Sequence, residues 1–429
     1  MVSTRKVHAL IVGFLALFIV LPTFSYAAEV KTGKEVAKPD TYNIVALGDS
    51  ITVGYQKGMN EKSVPYGYVD RLYEQALFHG RATVSNYGIL GLTTPGLIKL
   101  LEGAEAGRKL TADNLQDFSG FTDSRIKAQA ETIAASAPAV ATALADADLV
   151  VLTTGGNDFK SIVGGALLES PGYTKDSIQT KFEESMNIYT TNLDTAVRRI
   201  HKLAPNARIV MADQYLPLWE DHPLYGELSI AVEKLTAALE DFAKKLREQD
   251  IDLSIARVGE KFKNNVLKLT YVDKIILIYD NHPRAAGYEV IAQSFADIIW
   301  KQHLVPQPRP EGVTTSFVVN GKELSYAPIN KKNTNFLPIR ELAGAVDADF
   351  KWDQPTRTAT FSKNNHQVII TVDAKTMIVD GVETLLDTPA FFQKVGKETK
   401  TYVPIAAITR ALDFEVIYRQ TLQTAFINS

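Results

Sequence analysis

Apolar positions along the chain alternate between short runs and helical stripes in a regular order. Residues Tyr42 to Leu47 make a short apolar run that stops at Gly48, as a strand buried on both faces would. Val69, Leu72, Tyr73, Ala76 and Leu77 then fall on one helical face, closed by Gly80. A second strand is predicted through Ala82 to Tyr87, an Ala-rich helix up to Asp148, and a third strand over Leu149 to Thr154. Phe182, Met186, Tyr189, Leu193, Val197 and Ile200 mark a long amphipathic helix, and Ile209 to Ala212 the next strand. Leu235, Leu239, Phe242 and Leu246 line a further helix, followed by a strand over Ile251 to Ile255 and a final helix from about Ala285 to Trp300. This alternation over roughly 260 residues predicts an α/β fold with a parallel sheet covered on both faces by helices. Ligand chemistry is then expected at the carboxyl ends of the strands.

Pro306, Pro308 and Pro310 interrupt the pattern, and alternating prolines favour an extended spacer, so a linker is placed over residues 305–315. Beyond it, residues 316–429 repeat themselves. Val319-Asn320-Gly321 answers Val379-Asp380-Gly381, and Phe336-Leu337-Pro338-Ile339 answers Tyr402-Val403-Pro404-Ile405. Leu342, Ala345, Val346, Phe350 and Trp352 stay in step with Ile408, Ala411, Leu412, Val416 and Tyr418. Each unit reads as a hairpin turn, a short helix and a following strand, which makes a smaller duplicated α+β domain.

The amino terminus carries a different texture. Arg5-Lys6 precede an apolar run from Ala9 to Leu21, and Ser25 and Ala27 place small residues before a cut at Ala28, the layout of a signal peptide over residues 1–27. The run is too short for a stable membrane span, an uncleaved anchor being the alternative. Residues 28–40 are polar and without period, a flexible leader to the domain placed over residues 41–304. Removing the first 27 residues leaves 44 basic against 49 acidic side chains, a formal charge of −5, which disfavours nucleic acid as a partner. The chain has no cysteine, hence no disulfide framework and no thiolate metal site.

Three motifs carry chemistry. Gly48-Asp49-Ser50 closes the first strand, Gly155-Gly156-Asn157-Asp158 closes the third, and His282-Pro283 precedes the last helix. A serine hydroxyl is a weak nucleophile that needs a neighbouring base and donors for the oxyanion of the tetrahedral intermediate. At a strand-to-helix turn Ser50 would expose its Oγ while its own backbone N–H points to the developing charge. Gly48 and Asp49 are read as shaping the turn. Gly91, at the end of Asn86-Tyr87-Gly88-Ile89-Leu90-Gly91, can bring a second bare N–H close, and Asn157 can add a side-chain amide. Alone, each of these is also an ordinary turn or loop signal. Among the seven histidines His282 is the best base, held by Pro283 and the final helix, with His222 in Asp221-His222-Pro223 as its competitor. No pair of histidines has metal-ligand spacing, so neither a metal nor another cofactor is implied.

In order and spacing these blocks resemble the SGNH, or GDSL, hydrolase superfamily over residues 42 to 303. The resemblance implies a three-layer α/β/α flavodoxin-like fold and a serine esterase or lipase-like acyl hydrolase, which the signal peptide makes a secreted one. It implies Ser50 as nucleophile, His282 as base, and Ser50 N–H, Gly91 N–H and the Asn157 amide as the oxyanion hole. The family places its acid three residues before the histidine, where this chain has Tyr279, and the nearest carboxylate is Asp280. Either Asp280 orients His282 from a loop one residue shorter, or the histidine leans on another group such as a backbone carbonyl; Asp280 could instead cap the helix or turn that follows. Residues 316 to 429 are similar to the copper amine oxidase N-terminal-like domain, on Leu337-Pro338-Ile339-Arg340 and Trp352-Asp353; Ala406 and Tyr418 replace the Arg and Trp in the second repeat. That module is found on secreted proteins of Gram-positive bacteria, which implies a secreted or surface-associated protein whose C-terminal module either binds the envelope, with a cell-wall polymer as partner, or stands off from it. With His366 its one histidine, the domain has almost no ligands for copper.

The expected substrate is a carboxylic ester of a lipid or an acylated glycan. Residues 102 to 124 and 159 to 176 flank the site, and Phe159, Ile162, Val163, Leu167 and Leu168 could line an acyl pocket or simply pack. The rival reading is a cell-envelope glycan-binding protein built on an inactive hydrolase-like scaffold. Because every candidate catalytic group precedes the spacer, a cut there is expected to leave an active first domain.

Overall fold

The computed structural model describes residues 41–60, 62–167, 175–274 and 280–429. The expected signal peptide and leader, Leu168 and Tyr279 lie outside the described residues. Among the described residues no helix is long and apolar enough to cross a membrane.

The first part alternates strands and helices. Its elements are β1 (Tyr42–Gly48), α1 (Ser50–Val53), α2 (Tyr68–Leu77), β2 (Ala82–Gly88), α3 (Thr94–Glu105), α4 (Ala112–Leu115), α5 (Ser124–Ala135) and α6 (Ala137–Ala145). There follow β3 (Leu149–Thr153), α7 (Lys160–Leu167), α8 (Lys175–Leu203), β4 (Arg208–Ala212), α9 (Tyr225–Arg247), β5 (Leu253–Ala256), α10 (Val258–Phe262), α11 (Val266–Leu269) and α12 (Ala285–Ile299). The five strands form one parallel sheet in the order β2-β1-β3-β4-β5. Successive strand residues point to opposite faces. Val45, Leu47, Val150 and Leu152 therefore join one core with α3, α6, α8 and α9, while Ile44, Ala46, Leu149 and Val151 join a second with α2 and α12. Three layers result, as expected. The single Ala-rich helix is two, α5 and α6, parted at Ser136 because Pro138 fits only a helix's first turn.

The second part continues with β6 (Ser316–Val319), β7 (Lys322–Glu323), β8 (Ile329–Lys331), β9 (Thr334–Pro338), α13 (Ile339–Ala345), β10 (Asp349–Asp353), β11 (Thr358–Lys363) and β12 (His366–Thr371). It ends with β13 (Thr376–Val379), β14 (Val382–Leu385), β15 (Phe391–Val395), β16 (Glu398–Pro404), α14 (Ile405–Ala411), β17 (Glu415–Arg419) and β18 (Thr424–Asn428). The repeat is visible as two hairpins turning at Asn320-Gly321 and Asp380-Gly381, and as two strand–helix–strand units, β9-α13-β10 and β16-α14-β17. β9 and β16 pair antiparallel, so the two copies are zipped together at their matching phrases.

The second part has a core of its own, in which Leu337, Phe361, Val368, Val403 and Ile408 are buried, but two of its residues join a core of the first part. Val318 of β6 and Phe426 of β18 belong to the same core as α2 and α12, and the Phe426 ring meets Phe78 edge-on at 5.0 Å. Asn428 Nδ2 donates to the carbonyls of Leu77 at 2.9 Å and Gly80 at 2.8 Å. Arg419 reaches the buried Glu74 at 3.0 Å and Asp70 at 3.5 Å, with its guanidinium over the Tyr73 ring. The C-terminal domain thus covers one flank of α2, and a cut in the spacer would uncover apolar surface on both sides. Phe426→Ala should cost roughly 3–5 kcal/mol, measured by denaturant unfolding of the whole chain; a loss under about 1 kcal/mol would mean that the shared core contributes little.

Candidate active site

The carboxyl end of β1 is shaped by a close backbone approach. Gly48 has φ +134°, and a Cβ there would lie 2.0 Å from the carbonyl oxygen of Thr153 on β3, so only glycine fits. Asp49 then caps α1: its carboxylate accepts from Ile51 N–H at 3.0 Å and from Thr153 Oγ1 at 3.0 Å. Thr52 Oγ1 extends the network to Thr153 Oγ1 at 2.6 Å and Tyr68 OH at 3.1 Å. Ser50 is the first residue of α1, held on this buried polar floor.

The candidate base comes from the loop before α12, 232 residues away in sequence. His282 Nε2 lies 2.8 Å from Ser50 Oγ, and Nδ1 lies 2.8 Å from Asp280 Oδ1. The same Oδ1 accepts the His282 backbone N–H at 3.0 Å. An ionised carboxylate only accepts, so Nδ1 carries the proton and Nε2 is left to receive the serine hydroxyl. Burial works against the Asp280 charge, but the ring and backbone bonds from His282, with Lys57, outweigh it and hold the carboxyl below its ordinary range. Tyr215 OH donates to Asn281 O at 2.6 Å, Tyr271 N–H donates to His282 O at 2.9 Å, and the Tyr55 ring packs edge-on to the imidazole at 4.6 Å. The loop is therefore fixed on both sides of the histidine. His222 is elsewhere: its Nδ1 accepts from Leu224 N–H at 3.2 Å and its ring packs on Trp219.

The other candidate donors sit on two loops bonded to each other. Asp158 accepts from Thr94 N–H and Oγ1 at the start of α3, and Asn157 Nδ2 donates to Leu92 O at 2.9 Å, next to Gly91. One amide proton of Asn157 is used there and the second remains for a ligand. Gln214 Nε2 and Tyr189 OH both donate to Thr154 O, securing the strand end that leads to Asn157. Among the described residues, neither the Ser50 nor the Gly91 backbone N–H has an acceptor. Gly91 has φ +74°, and a Cβ there would meet the tip of the Phe121 ring at 2.3 Å. Phe121 is thus a residue beside the site that the sequence did not single out; only its place in the long connection before α5 hinted at it. Phe159 and Ile162 are buried, Phe159 stacked on Phe182, and pack in the core.

A family model described as GDSL-like lipase/acylhydrolase matches residues 46–290, more than half of the chain. The protein belongs to this family. Residues 318–427 match the copper amine oxidase N-terminal domain. In that domain His366 Nδ1 is engaged by Asp380 at 2.8 Å, and its donor set does not fit a copper ion. A search of curated proteins finds no match. Similar solved structures include a lipase from a goat rumen metagenome, at 16% identity over 61% of this chain and 98% of that one, TM-score 0.41. An extracellular lipase from Streptomyces rimosus matches at 16% over 59% and 99%, TM-score 0.39. A variant of an acetyl-xylooligosaccharide esterase from a Geobacillus matches at 17% over 62% and 97%, TM-score 0.36.

Burial also pushes Asp49 up to about 6, against the bonds from Ile51 and Thr153 and the nearby His282. Its folded value exceeds its unfolded one, so the protonated form is favoured by folding and stability falls as pH rises from about 4 to about 6. Asp49→Asn keeps an acceptor oxygen without the charge. It should therefore gain stability over the wild type, by up to about 3 kcal/mol, at pH 7 but not at pH 4. Denaturant unfolding at the two pH values checks this, and an equal effect at both would show that the charge is not what matters.

Proposed function

We propose that this protein is an exported serine esterase or lipase-like acyl hydrolase. The hydrogen-bonded chain from Ser50 through His282 to Asp280 carries this reading. In it, Ser50 Oγ attacks the ester carbonyl as His282 Nε2 takes its proton, and the Asp280 carboxylate stabilises the imidazolium. The oxyanion is received by Ser50 N–H, Gly91 N–H and the second amide proton of Asn157. His282 returns its proton to the leaving alcohol; water, activated by the same imidazole, then releases the acid. The apolar residues after Asn157 that are buried in the core leave Phe121, over Gly91, as a wall beside the carbonyl. The substrate class is a carboxylic ester of a lipid or an acylated glycan. The charged and apolar layout of residues 1–27 supports export, and the C-terminal domain is assigned to holding a cell-wall polymer at the surface.

Ser50→Ala and His282→Ala should each reduce turnover of p-nitrophenyl esters by as much as about 10⁶-fold, since members of one catalytic unit fail together. Asp280→Asn should cost up to about 10⁴-fold through the wrong imidazole tautomer. If it keeps more than about a tenth of the activity, the enzyme works as a Ser-His dyad. The rival inert scaffold predicts no turnover in the wild type and no labelling of Ser50 by a fluorophosphonate.

Asn157→Ala should lower kcat by about 10²- to 10³-fold with little change in KM, because its donor matters once charge develops. A change confined to KM, read from saturation curves, would make Asn157 a substrate-binding residue instead.

A further inference from the structure

A cavity of about 430 Å³ opens between α9 and α10, at the carboxyl ends of β4 and β5. Its size is that of a site for a small organic molecule. It is also preformed. Phe262, in its wall, is stacked on Tyr215 at 4.4 Å. Two ion pairs tie the residues flanking α10 to α9, Lys263 to Glu233 at 2.9 Å and Arg257 to Glu240 at 2.6 Å.

Apolar side chains of Leu216, Leu218, Val232 and Phe262 share the lining with the aromatic ring of Tyr225. Among them lies Asp213, which directly follows β4 and is only 4% exposed. Its carboxylate accepts from Gly259 N–H at 2.8 Å and Thr236 Oγ1 at 3.1 Å, which fixes its direction and leaves acceptor capacity unused. The charged lining is Asp213, Glu233, Glu240 and Glu260 against Arg257 and Lys263, and both cations already have carboxylate partners. An anion would meet a net negative wall, whereas a cation with an apolar body would meet carboxylates, an aromatic ring and aliphatic surface. Among the described residues no three acidic or histidine groups converge as a metal ion requires, so the charge suits a diffuse organic cation.

We propose that this cavity binds a small organic cation, an amine or quaternary ammonium with an apolar body, at a site separate from Ser50. The proposal does not depend on the hydrolase reading. Choline and its neutral carbon isostere, 3,3-dimethylbutan-1-ol, are titrated into the full chain by calorimetry. Choline should bind one to one and the alcohol at least about tenfold more weakly. Ser229→Trp, which places a bulky ring in the cavity from a half-buried position on α9, should abolish choline binding while leaving ester turnover unchanged. Asp213→Asn, with its folding checked by thermal unfolding, should weaken choline by about tenfold or more. Absence of choline binding to the wild type, equal affinity for the alcohol, or choline binding that survives Ser229→Trp would each overturn the proposal.

Discussion

The candidate active site depends on how closely β1 and β3 approach at Gly48. A side chain there would collide with the Thr153 carbonyl at 2.0 Å and with Thr52 Oγ1 at 2.8 Å, so the glycine lets the chain turn directly against the neighbouring strand. Asp49 N–H donates to that same carbonyl at 3.1 Å, which swings the Asp49 carboxylate under the turn and leaves Ser50 at the start of α1. Its backbone N–H is then one of the unsatisfied donors of a helix start, available to a developing negative charge. The Ser50 hydroxyl and its free backbone N–H are thus both placed by one backbone contact. The other candidate donors, Gly91 N–H and the Asn157 amide, are placed by the loops after β2 and β3, which are tied together through Asp158 and Asn157.

The floor of this turn reaches α2, because Tyr68 OH bonds Thr52 Oγ1. The other flank of α2 carries Glu74, nearly buried between Tyr66 OH at 2.7 Å and Arg419 of the C-terminal domain at 3.0 Å. A buried carboxylate is tolerable only while it is paired, and removing one partner is far more damaging than never having built the pair. Docking of the second domain is thereby written into the chemistry of a helix that also supports the turn at Ser50. The spacer prolines mark a change of fold, and the second domain has a core of its own, yet Val318 and Phe426 extend a core of the first domain across them.

Fold class and motif positions were legible because strands buried on both faces and amphipathic helices leave strong local periods. What was not legible depended on contacts between distant segments. Val318 and Phe426 lie in no motif, and nothing local shows that they face α2. Phe159 and Ile162 follow Asn157 and looked available to an acyl group, yet their neighbours on α8, above all Phe182, already occupy them. Gln214 and Tyr215 follow the β4 run without a motif, although they anchor the strand end before Asn157 and the loop around His282. Phe121 was hidden for the same reason, since a lone aromatic in a connection has no period to reveal what it covers.

Asp280 shows how local chemistry can replace a missing residue of spacing. An aspartate readily accepts from the backbone N–H two residues ahead, which forms a tight turn. Here that turn draws the carboxylate toward the histidine's own ring, so one oxygen meets both the His282 N–H at 3.0 Å and Nδ1 at 2.8 Å. With a three-residue interval the backbone bond would need a different partner, whereas at two residues the turn itself aims the carboxylate at the ring. The cost is that one oxygen holds two donors and the ring has little freedom to swing. Tyr215 on Asn281, Tyr271 on the His282 carbonyl and the Tyr55 ring against the imidazole restrict it further. A histidine so confined is already oriented for Ser50 before any ligand arrives, so the ordering cost that a mobile base would meet on binding is largely met by folding.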